Sequence, residues 1–302
     1  MGLEDRKNAV GFVGLGQMGA PMAENILKKG HRLVAYDIEK PKVERAVSLG
    51  AQAASSPADT ARRAGTLISM VDTTAQAEEV IVGPGGFIEA AQPGDVIISM
   101  STIDLTALRR VQPKLAERGI DLLDAPVTGM EKGAQAGTLN AYVGGDAAAL
   151  ERVRPVLQAM TSEITHFGAL GQGIAMKLVN NMLMQVNRVL IAEALALGAK
   201  AGLDPTQMVD TISKTTGNSV AFQYSAPRIL ARDFDGIRME ITYKDVALQV
   251  ALAQSLGMPM FMASVALRVY EMGKAMGLGG KDAASIVTLY EQWTGAPVVP
   301  RA

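Results

Sequence analysis

Through the first half of the chain, short apolar runs alternate with amphipathic ones. AVGFVG (9–14), RLVAYD (32–37), TLISMV (66–71) and DVIISM (95–100) are brief and rich in β-branched residues, the pattern of strands buried within a sheet. Between them, MGAPMAENILKKG, KPKVERAVSLG and LTALRRVQPKLAERG carry apolar residues at helical spacing and end at glycine, as helices do. Strand, helix, strand, helix requires crossover connections and hence a parallel sheet covered on both faces. GIDLLDAPV (119–127) and LNAYVGG (139–145) extend the β pattern. Beyond about residue 167 the periodicity predicts helices at 169–201, 205–214, 218–231, 242–256, 260–276 and 282–292, with no convincing strand. The expectation is a doubly wound α/β domain over 1–167 followed by an all-α domain over 168–302.

Composition narrows the chemistry. The 302 residues suit about two domains, and 48% hydrophobic content is ample for their cores. The net charge of -1 argues against nucleic-acid binding, which needs a concentrated basic face. The absence of cysteine excludes disulfides, thiolate nucleophiles and cysteine-ligated metals. With His31 and His166 the only histidines, a histidine metal cluster is not expected either, and no metal site is assigned. The opening MGLEDRKNAV lacks the apolar core of a signal peptide. The longest apolar stretch, VLIAEALALGA with its flanks, is interrupted by Arg188 and Glu193 and reads as too short and too polar to span a membrane. A soluble, cytoplasmic protein is expected. The 17 methionines are spread widely, as core filler.

GFVGLGQMG places Gly14, Gly16 and Gly19 in G-x-G-x-x-G spacing. Alone that spacing also describes ordinary glycine-rich turns. Here it leaves a strand and opens a helix, the context in which it cradles a dinucleotide pyrophosphate on a helix N-terminus. The domain is therefore of Rossmann type. Gly14 serves the tight turn, Gly16 the approach of the phosphates to the backbone, and Gly19 close helix–strand packing. Gln17 and Met18 complete the loop. Asp37 ends the second strand, where a carboxylate binds the adenosine ribose hydroxyls and repels a 2′-phosphate. NAD is expected over NADP, although Lys40 and Lys42 stand close enough to serve a phosphate.

The segments GFVGLGQMGAPMAENILKKGH, DAPVTGMEKGAQAGTL, GQGIAMKLVNN and YKDVAL, in this order, give the chain a resemblance to the β-hydroxyacid dehydrogenase family over nearly its whole length. That family includes 3-hydroxyisobutyrate dehydrogenases, tartronate semialdehyde reductases and 2-(hydroxymethyl)glutarate dehydrogenases. The resemblance implies NAD-dependent oxidation of a small 3-hydroxy acid, or reduction of the matching semialdehyde. It implies Lys177 as the catalytic lysine and Asn181 as a substrate-orienting amide. Thr128 and Gly129 match the loop that holds the substrate carboxylate. Lys244 and Asp245 match a pair at the cofactor and substrate. Ser101 and Thr102 match a loop beside the nicotinamide ribose, and Met70 and Val71 a loop touching the cofactor. Two departures stand out. Met130 replaces a usual glycine in the substrate loop, and MVDTT replaces the usual Leu-Pro type of loop. Both bear on the substrate. Family members are commonly dimers or tetramers, so a homodimer or homotetramer is expected.

The residues themselves are compatible with this chemistry. Alcohol oxidation needs a base, and lysine is the natural candidate where histidine is scarce. Its free pKa of about 10.4 is too high for the task at neutral pH. Burial, and the positive nicotinamide ring, would lower it. Lys177 and Asn181 are four apart and share a helix face, which Gln185 and Arg188 continue; Asn180 points elsewhere. Backbone N–H groups of a glycine-bearing loop can hold a carboxylate beside Thr128. Arg238 is a further candidate for an acidic substrate group. Two other readings keep the fold. Imine reductases resemble it but usually lack lysine at the matched position, and a non-catalytic NAD-binding interaction protein would have lost it.

Overall fold

The computed structural model describes residues 6–301. Met1–Asp5, which begin the charged N-terminal stretch, and Ala302 lie outside the described residues. The chain divides into two compact units, Met1–Lys177 and Leu178–Ala302.

In the first unit a six-stranded parallel sheet has the order β3-β2-β1-β4-β5-β6. Its strands are β1 (Ala9–Val13), β2 (Arg32–Tyr36), β3 (Gln52–Ala53), β4 (Thr66–Ser69), β5 (Val96–Ser99) and β6 (Asp121–Asp124). β1, β4 and β5 are buried at every residue, because helices cover both faces. Those helices are α1 (Gly19–Lys28), α2 (Lys40–Ser48), α3 (Pro57–Arg63), α4 (Thr74–Val82) and α5 (Leu105–Ala116). The starts of α3, α4 and α5 are fixed by side chains that accept otherwise orphaned backbone N–H groups. Ser56 caps α3, Thr73 and Gln76 form a capping box on α4, and Asp104 caps α5. The strand order reverses between β1 and β4, the switch point at which such sheets open a ligand crevice.

A second, smaller sheet of mixed direction joins β7 (Val127–Thr128) antiparallel to β8 (Leu139–Val143), and β8 parallel to β9 (Thr161–His166). α6 (Met130–Ala136) and α7 (Ala147–Leu157) lie between these strands in sequence. The apolar interior of this sheet, with Leu139, Ala141 and Val143, joins the same core as Val10, Phe12 and Ile98 of the large sheet.

α8 (Gln172–Lys200) crosses the division between the units. It is the one described helix long and apolar enough to meet a membrane-span criterion, contrary to the reading of its interrupted apolar stretch as too short. Half of its most apolar window is buried inside the protein, and the helix carries the buried polar side chains of Gln185 and Arg188. Core packing accounts for its buried apolar residues, while Leu183, Leu190 and Leu197 are exposed.

The second unit is helical, as expected. It holds α9 (Pro205–Ile212), α10 (Val220–Ala231), α11 (Met239–Ser255), α12 (Phe261–Ala275) and α13 (Val287–Thr294), with a 3-10 turn at Ala283–Ile286. Its core gathers Leu195, Phe222, Ile229, Met239, Val246, Tyr270 and Leu289. Among its described residues the one β-type contact is an isolated bridge between Arg238 and Asp282.

Arg6 and Asp95 form a buried charged pair in the first unit. The Arg6 guanidinium reaches both oxygens of Asp95, at 2.8 and 2.5 Å, and also donates to the Ala61 carbonyl. Removing one partner of such a pair strands the other's charge, whereas removing both can be nearly neutral. Arg6→Ala is expected to lower the unfolding free energy by about 3 kcal/mol. Arg6→Met with Asp95→Leu should lose much less. Urea denaturation of the three proteins checks the difference.

Candidate active site

Each dinucleotide-loop residue lies at the C-terminal edge of the large sheet. Gly14 follows β1 with φ +97°, a left-handed conformation favouring glycine, and a Cβ there would strike the Met70 carbonyl oxygen. At Gly19, the first residue of α1, a Cβ would strike the Gly14 carbonyl. Gly16 differs: a Cβ there would meet no protein atom within 4 Å. Protein packing explains the first and third glycines but not the second, whose open front is what an approaching pyrophosphate requires. Asp37 anchors this loop, one oxygen accepting from Leu15 N at 2.6 Å and the other from Glu39 N at 2.9 Å. Its carboxylate therefore stands beside the glycine loop at the end of β2. Lys42 is engaged with Glu39 at 2.5 Å. The side chain of Gln17 reaches Glu131 in the first turn of α6, at 2.6 Å.

The loops after β4 and β5 are tied together. Ser101 is buried, and its Oγ accepts from Val71 N at 2.8 Å. Met70, Val71, Ser101 and Thr102 thus form one rim beside the glycine loop.

Thr128 ends β7, and Gly129 and Met130 follow at the start of α6. Gly129 has φ +130° and Met130 φ +58°. Left-handed backbone is natural for glycine and strained for methionine. Met130 is also substantially exposed, so no core packing holds it there.

Lys177 lies in the second turn of α8, at the end of the first unit, and is half-buried. The start of α8 is held by Asp124, at the end of β6. Its oxygens accept from Gly171 N at 2.6 Å and Ile174 N at 2.7 Å. Asp124 is fully buried, and desolvation pushes its carboxyl above the usual range while those backbone N–H groups pull it back. Sequence reasoning gave Asp124 no role.

In the second unit Asn181 and Asp245 meet. Asp245 Oδ2 accepts from Asn181 Nδ2 at 3.0 Å and from Gln185 Nε2 at 3.1 Å, and Lys244 Nζ lies 3.4 Å from Oδ1. Gln249 Nε2 donates to Gln185 Oε1 at 2.6 Å. Arg188, fully buried, donates to Ser225 and Thr242 and stacks over Tyr224. The polar stripe of α8 is therefore a buried ladder against α11. Gln249 was not foreseen; its four-residue spacing from Asp245 was the available signal. Arg238 pairs with Glu240 at 2.5 Å on the exposed first turn of α11, so its guanidinium already has a carboxylate. The described residues contain no cluster of acidic or histidine side chains suited to a metal.

A doubly wound sheet, a glycine loop with an open centre and a strand-ending carboxylate define a dinucleotide-binding domain. A family profile described as the NAD binding domain of 6-phosphogluconate dehydrogenase matches residues 9–168. A second, described as NAD-binding of NADP-dependent 3-hydroxyisobutyrate dehydrogenase, matches residues 171–290. A 2-(hydroxymethyl)glutarate dehydrogenase of Eubacterium barkeri is 38% identical over 96% of this chain and 97% of its own. An NAD-dependent L-serine dehydrogenase of Pseudomonas aeruginosa is 35% identical over 95% and 99%. Among solved structures, a 3-hydroxyisobutyrate dehydrogenase of Mycobacterium tuberculosis with L-serine has a TM-score of 0.86 at 31% identity, covering 94% and 99%. An imine reductase of Pseudomonas sp., at 18% identity and TM-score 0.61 over 93% and 99%, shares the fold. The chain belongs to the β-hydroxyacid dehydrogenase family and is an NAD(P)-dependent hydroxyacid oxidoreductase.

Relieving a left-handed backbone gains about 1 kcal/mol per residue. Met130→Gly is expected to raise Tm by ~2 °C or more while changing the relative kcat/KM among hydroxy acids. Thermal unfolding and a substrate panel measure the two effects separately.

Proposed function

We propose that this enzyme oxidises a small acid whose alcohol is β to a carboxylate, most like 3-hydroxyisobutyrate, or reduces the matching semialdehyde, using NAD. The three substrates named in its relatives, 3-hydroxyisobutyrate, serine and 2-(hydroxymethyl)glutarate, all have a primary alcohol β to a carboxylate. The observation that carries the reading is the placement of Lys177. It sits on α8, whose start is fixed to the end of β6, and β6 leads within a few residues into the Thr128–Gly129 loop.

Bound nicotinamide supplies the hydride acceptor, or the donor in the reverse direction. The protein supplies the rest. Gly14, Gly16, Gln17, Met18 and Gly19 hold the pyrophosphate, and Asp37 binds the adenosine ribose. Met70, Val71, Ser101 and Thr102 would line the cofactor. The Thr128 hydroxyl and the backbone at Gly129 hold the substrate carboxylate, with Met130 beside them. Within the second unit, Asp245 holds the Asn181 amide. Lys177 Nζ takes the hydroxyl proton during oxidation and returns it during reduction. The Arg238–Glu240 pair lends no support to a substrate role for Arg238.

We further propose self-association as a homodimer or homotetramer. Leu183, Leu190 and Leu197 recur every seven residues on α8, and all three are exposed. Phe261, Met262 and Val265 are exposed on α12. Apolar faces of this kind mark interaction surfaces. Wild type is expected to be oligomeric by light scattering, with Leu190→Glu shifting it toward monomer.

General acid–base groups contribute ~10²–10⁴-fold. Lys177→Ala should lose that much kcat on its best hydroxy acid and keep the NAD Kd within about twofold; near-wild-type turnover would remove lysine from the chemistry. For the cofactor, kcat/KM should favour NAD over NADP by about tenfold or more, since a carboxylate repels the 2′-phosphate. Asp37→Ser should narrow that ratio, and an NADP preference in wild type would defeat the assignment.

A further inference from the structure

The geometry points to Asp124 as a positioning residue that sets where Lys177 stands relative to the Thr128–Gly129 loop. The inference rests on the proposed role of Lys177.

Asp124 belongs to three elements at once. Its backbone closes a bridge with Gly144, donating to the Gly144 carbonyl at 3.0 Å and accepting from Gly144 N at 2.8 Å. Its side chain accepts from Gly171 N and Ile174 N at the start of α8. Charged acceptors of backbone N–H groups are among the stronger hydrogen bonds, and this one is removed from water. Ile174 is less than one turn before Lys177, so the carboxylate fixes the segment from which the lysine projects.

Two glycines provide the clearance. A Cβ at Gly144 would come within 2.5 Å of Asp124 Oδ1. A Cβ at Gly173 would lie 2.8 Å from Asp124 Oδ2 and would strike the Tyr142 carbonyl oxygen. Gly173 and Lys177 are four apart and share one face of α8. At Gly173 that face meets the backbone of β8. The same strand pairs with the substrate strand, Ala141 opposite Val127 and Asn140 opposite Thr128. The lysine helix and the carboxylate loop thus share β8 as a common base, and Asp124 pins the helix to it.

The amide of Asp124→Asn offers one oxygen where two carboxylate oxygens accepted, and turns its NH₂ toward a backbone donor. We expect kcat to fall tenfold or more with the NAD Kd within twofold and KM changed less than kcat. Site-resolved reductive methylation, read by mass spectrometry, should show the labelling rate of Lys177 changed at least threefold and the other lysines unaffected. A folded variant with kcat within threefold of wild type would overturn the proposal. So would a loss of kcat with Lys177 labelling unchanged, which indicates a merely structural residue. Asp124→Ser, which keeps one hydroxyl acceptor, serves the same two measurements if the asparagine variant does not fold. Lys177→Ala, assayed in parallel, judges the catalytic reading by itself: full activity there rejects the lysine's role, whereas the labelling result decides whether Asp124 positions it.

Discussion

A parallel sheet brings the C-terminal ends of all its strands to one edge, and the cofactor-binding half of this enzyme depends on that constraint. Residues as distant in sequence as Gly14, Asp37, Val71 and Ser101 become neighbours because their strands run the same way in register. The loops are then locked by short polar contacts rather than by packing. Asp37 holds the glycine loop through Leu15 N, and Ser101 holds the β4 loop through Val71 N. Such bonds carry little net stability individually. Their effect is to remove freedom from loops that would otherwise wander, so that ligand binding pays less ordering entropy.

The second unit solves a different problem. α8 is apolar enough to pack anywhere, and an apolar helix slides easily along another. The ladder from Asn181 through Gln185 to Arg188 prevents this, because each rung leaves an unpaired buried group if the register with α11 shifts. The Lys244 ammonium, 3.4 Å from Asp245 Oδ1, adds a charge to the outer end of this ladder.

Much of this was legible in the sequence. Strands β1, β2, β4, β5, β6 and β8, helices α1, α2 and α5 and the helices of the second unit followed from periodicity, and the glycine loop from its strand–helix context; β9, α4 and α7 did not. The element edges and small pieces did not. β3 and β7 are two residues each, too short for any alternation to register. α3 carries a proline at its start and mostly polar residues, so its helical signal is its Ser56 cap rather than a stripe. On the site, the Lys177–Asn181 face was visible because four-residue spacing is local. Asp124 was not, because its partners are 47 and 50 residues away and nothing in a lone strand-ending aspartate announces them. Gly173 looked like a helix opener, and its role as clearance for the Tyr142 carbonyl exists only in three dimensions.

Met130 has a consequence for divergence within the family. Its left-handed backbone means that folding alone disfavours the side chain this chain carries. Replacements there by glycine run downhill in folding free energy. Exchange for glycine at this position therefore needs no prior stabilising change elsewhere, a freedom that buried positions around Asp124 do not have.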